Sequence, residues 1–173
     1  MHTLKNIALF ALIALFLATC SPTPTPFVCA DPLGCVTVAP EEPLQLGVLQ
    51  TLSGGSAPGG TEQLNTLRLT LDQRYDDRFL GHEISLHVED ELCSPEGGAN
   101  AALHILADPQ IVAILGTNCS SAAVTAGKLM SEAGLVMISS SNTAPALTSV
   151  GGELGADWVS GYFRTVWNDA EMG

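Results

Sequence analysis

Leu106–Thr148, LADPQIVAILGTNCSSAAVTAGKLMSEAGLVMISSSNTAPALT, decides the fold. Ile111-Val112-Ala113-Ile114-Leu115 is a wholly apolar run, the pattern of a strand in a parallel sheet covered on both faces. Ser120 to Glu132 follows with apolar residues at helical spacing, Ala122, Ala126, Leu129 and Ala133 facing inward. Leu135-Val136-Met137-Ile138 is a further strand. After each strand comes a hydroxyl-rich loop, Gly116–Ser121 and Ser139–Thr143. In open parallel α/β sheets the carboxyl ends of the strands form the edge where ligands bind. The first loop opens onto a helix, whose free first-turn N–H groups and dipole attract an anion. Ser120 and Ser121 at that start, with Asn142 and Thr143 in the second loop, are the candidate binding residues. The plainer alternative for Ser120 is a helix cap.

Upstream, Leu44–Gln50 is a first strand, and Ser53–Gly60 a loop. From Thr61 a stripe of Leu64, Leu67, Leu71 and Tyr75 predicts a helix. His82–Asp90 alternates as a half-buried strand does. Ser94-Pro95-Glu96 is a helix start, and Ala99, Ala102, Leu103 and Leu106 are its expected apolar face. Trp158–Trp167 is another strand region. The alternation of strands and helices predicts an α/β fold with a doubly wound parallel sheet and right-handed crossovers.

Residues 1–19 have the form of an export signal: Lys5, then an apolar run from Ile7 to Ala18. That run is shorter than the roughly 20 residues a spanning helix needs. Leu17-Ala18-Thr19-Cys20 resembles a bacterial lipobox, in which Cys20 is acylated, although the family pattern prefers Gly, Ala or Ser where Thr19 stands. Residues 20–43 are then a lipid-anchored linker, with a Pro/Thr tether at Ser21–Pro26 that favours extended chain. Cys29 and Cys35 are expected to form a small local disulfide in it, and residues 44–173 the ligand-binding domain.

A net charge of −12 argues against binding to nucleic acid and against attraction to anionic lipid surfaces, both of which need basic patches. Apolar residues at 46% supply an ample core. Ser53-Gly54-Gly55-Ser56 lacks the Gly-Lys-Ser/Thr ending of a phosphate loop. No nucleophile elbow or paired-histidine motif is present, so no enzyme class, metal or cofactor is indicated. Cys93 and Cys119 both fall just past strand ends. In an exported protein a disulfide is the default, and a nucleophilic Cys119 in an exported hydrolase is the alternative.

Taken in order, several motifs resemble the periplasmic branched-chain amino-acid binding proteins of ABC importers, with the type I periplasmic-binding-protein fold. These are Leu46-Gly47-Val48-Leu49 with Leu52-Ser53-Gly54, Glu89-Asp90 before Cys93, and Asp108-Pro109. Gly116 with Cys119-Ser120-Ser121, Glu132–Ser139, Asn142-Thr143-Ala144-Pro145 and Phe163-Arg164-Thr165 complete the set. The resemblance implies a two-lobed receptor of which this chain matches the first lobe, the second lobe being absent. It implies that the Ser120 and Thr143 hydroxyls, with Ser121 and nearby N–H groups, hold an amino acid or related carboxylate. The Asn142 carbonyl would take the ammonium, and Cys93 and Cys119 would be bonded. An ABC permease and, through the anchor, the membrane are the implied partners; a sensory receptor module is the alternative. An aromatic that some members place in the first loop falls on Gly59. Half a cleft predicts weak or undetectable binding by residues 20–173 alone.

Overall fold

The computed structural model describes residues 27–31 and 34–171. The expected signal, Cys20 and the Ser21–Pro26 tether lie outside the described residues. The chain divides into two compact units, residues 1–30 and 31–173. Of the first, Phe27–Ala30 are described, exposed and without regular structure. Cys29 and Cys35 are each held in a disulfide. The second unit carries the fold.

That unit is built from β1 (Leu44–Gln50), α1 (Ala57–Tyr75), β2 (Arg78–Phe79), β3 (His82–Asp90), α2 (Pro95–Leu106), β4 (Ile111–Gly116), α3 (Ser120–Glu132) and β5 (Met137–Ser139). A 3-10 turn at Pro145–Leu147, a hairpin of β6 (Ser149–Val150) and β7 (Glu153–Leu154), and β8 (Tyr162–Arg164) complete it. One six-stranded sheet runs β2-β3-β1-β4-β5-β8. All its pairings are parallel except the short β2–β3 ribbon.

The chain steps from β1 to β3 in one direction, then from β3 past β1 to β4 and on to β5 in the other. With right-handed crossovers, that reversal puts α1 on one face of the sheet and α2 and α3 on the opposite face. The sheet is doubly wound, as its sequence predicts. The core lies under α2 and α3, where Leu49, Ile105, Ile111, Ile114, Met130 and Met137 are buried.

Three local expectations are corrected. The first helix begins at Ala57, inside the expected Ser53–Gly60 loop, because Pro58 suits its first turn. Tyr75 at its far end is exposed rather than inward, set edge-on to Phe79 with ring centroids 6.4 Å apart. The buried face of α2 is Gly97, Gly98, Ala101, Ala102 and Ile105, while Leu103 points out. The reason is the close approach of α3. A Cβ built on Gly98 would stand 2.5 Å from the Ala122 carbonyl oxygen. The smallest residues therefore set the phase of α2 and turn Leu103 outward, while Leu106 still packs against the core. Ser94 caps the helix as expected, its Oγ accepting the Gly97 N–H at 2.9 Å.

Candidate functional site

The loops after β1, β3, β4 and β5 meet at the carboxyl edge of the sheet. At Gly116, the end of β4, φ is +126°, and a Cβ would fall 2.0 Å from the Leu49 carbonyl oxygen. Only glycine permits that close approach. The chain then turns through the buried Thr117, whose hydroxyl donates to the Cys119 carbonyl at 2.9 Å. Asn118 reaches back, its Oδ1 accepting the Thr51 N–H at 2.7 Å.

Residue 119 is the N-cap of α3 and offers no side-chain cap. Ser120 is therefore the first helical residue, not a cap. The first-turn N–H groups have no carbonyl of their own helix to meet. Ser120 Oγ accepts the Ala144 N–H at 3.3 Å, which joins the two hydroxyl-rich loops. The Ser121 hydroxyl donates instead to the Cys93 carbonyl at 3.1 Å, so its proton is already placed.

The second loop is held by several bonds. Ser139 Oγ donates to the Thr117 carbonyl at 2.7 Å and accepts the N–H groups of Ser141 and Asn142. The Ser141 hydroxyl donates to the Asn118 carbonyl at 3.1 Å. Asn142 is fully buried, its Nδ2 donating to Thr117 Oγ1 at 3.0 Å and to the Tyr162 hydroxyl at 3.1 Å. Its Oδ1 has no partner. Thr143 is half-buried, and its carbonyl accepts the Asp169 N–H at 2.9 Å. Ser120, Asn142 and Thr143 thus meet at one edge; Ser121 lies at that edge with its hydroxyl turned to the Cys93 strand end.

The group that organises this loop stands in the sequence only as part of the Phe163-Arg164-Thr165 motif, with no role assigned to it. Arg164, at the end of β8, donates through Nη1 to the carbonyls of Asn142 at 3.1 Å and Ala144 at 2.9 Å, and through Nη2 to Thr148 Oγ1. The Asn142 carbonyl expected to meet an ammonium therefore already meets a cation. The available signal was a charged residue ending an apolar strand, in a chain with only six lysines and arginines.

Cys93 and Cys119 are disulfide-bonded, with Cα atoms 5.1 Å apart. No free thiol remains at Cys119, which removes the nucleophile that the hydrolase reading placed there. Beneath them, Glu91 is fully buried. Its Oε1 accepts the Thr51 hydroxyl and the Cys119 N–H, the latter at 3.2 Å. Burial pushes its carboxyl above the usual range, and the neighbouring Asp90 charge adds to that, against the donors Thr51, Cys119 and Asn118. Asp90 itself is held below the usual range. Burial opposes this, but hydrogen bonds from the Leu52 N–H, Ser53 and the Leu92 N–H outweigh it.

A cavity of about 290 Å³ adjoins this edge between α1 and the sheet, lined in part by Gln63, Leu67, Leu115, Ile138 and Ser140. A larger one, about 490 Å³, lies at the far end of the sheet among Leu106, Pro109, Val112 and Leu135, away from the candidate residues. Gly59 is exposed, and a Cβ there would stand 3.9 Å from Asn118 Nδ2. Gly59 therefore borders the loop that carries Asn118. Among the described residues, no cluster of side chains suits a metal ion. No described helix is long and apolar enough to cross a membrane.

A parallel α/β lobe with convergent polar loops at its carboxyl edge defines a ligand-binding domain of receptor type. The family described as "Receptor family ligand binding region" matches residues 62–172, and the chain belongs to it. It is 29% identical over 93 residues to an "Amino acid binding protein" of Pseudomonas aeruginosa, covering 54% of this chain and 23% of that protein. An ABC transporter substrate-binding protein from Sphaerobacter thermophilus superposes with a TM-score of 0.63 at 28% identity, covering 71% of this chain and 32% of the other. The branched-chain amino-acid substrate-binding protein LivJ from Streptococcus pneumoniae, solved with isoleucine, gives 0.64 at 22% identity, covering 74% and 35%. The fold is that of a type I periplasmic-binding-protein lobe. The chain spans about a third of the length of these solved structures and about a quarter of that relative.

Proposed function

We propose that this chain is the first ligand-binding lobe of an extracytoplasmic solute-binding lipoprotein that captures an amino acid, branched-chain or related, for an ABC importer. The observation that carries the reading is the uncapped start of α3, tied through Ser120 to the Ser139–Ala144 loop. A carboxylate set there meets first-turn N–H groups and the hydroxyls of Ser120 and Thr143, with the helix dipole favouring its charge. The amino-acid binding relative and the isoleucine-bound neighbour support a ligand of that class. They are binding proteins, which favours capture over catalysis.

Capture on this lobe comes first, and closure of a second lobe over the ligand follows. Closure shifts only as far as the ligand prefers the closed form. The Cys93–Cys119 disulfide fits an oxidising, extracytoplasmic setting. Acylation of Cys20, with residues 20–43 as tether and 44–173 as the lobe, would hold it at the membrane beside its permease.

The test is titration of the isotope-labelled chain with L-isoleucine, followed by NMR. Shifts confined to Ser120, Ser121, Asn142, Thr143 and their neighbours, saturating in the millimolar range, are expected of half a cleft. No shift, or shifts centred on another part of the domain, would remove the site.

A further inference from the structure

Glu91 is a buried carboxyl that ligand capture, as described above, does not use. It closes β3's end of the edge and touches two other segments: Thr51, after β1, and Cys119, at the α3 start. Its two oxygens are unequal. Oε1 takes both donors, and Oε2, equally buried, has none. Neither form satisfies Oε2, since a proton there would find no acceptor among the protein atoms; the two forms differ in the charge they bury. An ionised carboxylate would leave a charged oxygen unpaired in the interior, at far greater cost. The charged group beside it is Asp90, of the same sign. Among the described residues no lysine, arginine or histidine is paired with it. Thr51, Asn118 and the bonded cysteines around it carry no charge.

The residue it grips is the N-cap of α3. The Cys119 N–H donates to Glu91 from one side of the peptide chain, and the open N–H groups of the first turn begin with the next residue. Thr51 Oγ1 also lies 3.6 Å from Cys119 Sγ, so hydroxyl, carboxyl and disulfide form one contact set.

We propose that Glu91 is a positioning residue for the anion site: a proton-bearing carboxyl that seats the start of α3 on the loop after β1, so that its protonation state is felt at the Ser120 and Ser121 amides. The functional meaning of that seat rests on the reading of the α3 start as a carboxylate site. The geometry of the link does not.

The experiment is a pH titration of the whole chain by amide NMR between about pH 4 and pH 8, for wild type, Glu91→Gln and Thr51→Val. Glutamine keeps a carbonyl acceptor of the same shape and cannot titrate. In wild type the Asn118, Cys119, Ser120 and Ser121 amides are expected to move together through one inflection above the ordinary glutamate range. That inflection disappears in Glu91→Gln, and it moves upward in Thr51→Val, where a donor that favours the charged form is lost. A residue that only filled space would leave these amides flat with pH. Flat signals in wild type, or an inflection that persists in Glu91→Gln, overturn the proposal; should Glu91→Gln not fold, a Thr51→Val inflection identical to wild type overturns it. Adding L-isoleucine separates the two readings. An intact Glu91 inflection with no isoleucine shifts at either end of the range counts against the proposed function and leaves this link standing.

Discussion

Ser120 Oγ lies 3.3 Å from the backbone nitrogen of Ala144 and accepts its hydrogen, joining residues 24 apart in sequence. This contact makes one site of two loops, because it fixes the α3 start against the segment that Arg164 holds from the other side. Ser120→Ala removes that bond together with the hydroxyl that the proposed function assigns to a bound carboxylate. A several-fold or greater loss of L-isoleucine affinity is expected, read as a shifted NMR saturation curve, with the fold retained. Equal affinity in the variant would take Ser120 out of the site.

Arg164 binds two carbonyls and a threonine hydroxyl from one planar group, a geometry that a lysine ammonium does not reproduce. Arg164→Met leaves the Asn142 and Ala144 carbonyls without this donor. A loss of roughly 2 kcal/mol or more is expected in chemical denaturation. Arg164→Lys should recover only part of it. Full recovery with lysine would mean that charge, not the fork, holds the loop.

Gly98 meets the Ala122 backbone so closely that a single added carbon must push α2 and α3 apart. Gly98→Ala is expected to destabilise by about 1–3 kcal/mol, the usual range for overpacking, despite alanine's better helix propensity. A more stable variant would show that the helices separate freely.

Reducing the Cys93–Cys119 disulfide opens a loop across a 26-residue separation. A stability loss of roughly 3 kcal/mol is expected from the chain entropy regained in the unfolded state. The amides of Ser120 and Ser121 should shift most, because Cys119 is the residue before them. Changes spread evenly over the domain would argue against a local clamp.

Burial places the Glu91 pKa above its unfolded value, so the stability it contributes is complete at acid pH, below the ordinary glutamate range. It is lost as pH rises through the folded value. Asp90 has the opposite sign: its contribution is present above the unfolded pKa and fades as pH falls. Denaturation of Glu91→Gln should therefore show less loss of stability towards neutral pH than wild type, with the acid-side loss from Asp90 unchanged. Identical pH profiles for the two proteins would contradict the assignment.

The sequence by itself determined the local elements and their order. Leu44–Gln50 and Ser120–Glu132 form where their apolar spacing predicts, although Ala133, expected inward, is an exposed C-cap, and the hydroxyl-rich loops fall at the strand ends. Those signals are carried by neighbours in the chain, within a few residues of one another. Tertiary structure alone decided the rest. The face of α2 that turns inward was set by how near α3 could come, which no property of α2 by itself contains. The wrap of Arg164 around residues 142–148 and the grip of Glu91 on Thr51, 40 residues away, also depend on strand order. A polar side chain carries no mark in sequence of which distant partner will lie beside it. That choice is made when the sheet assembles and burial forces each polar group to find a partner.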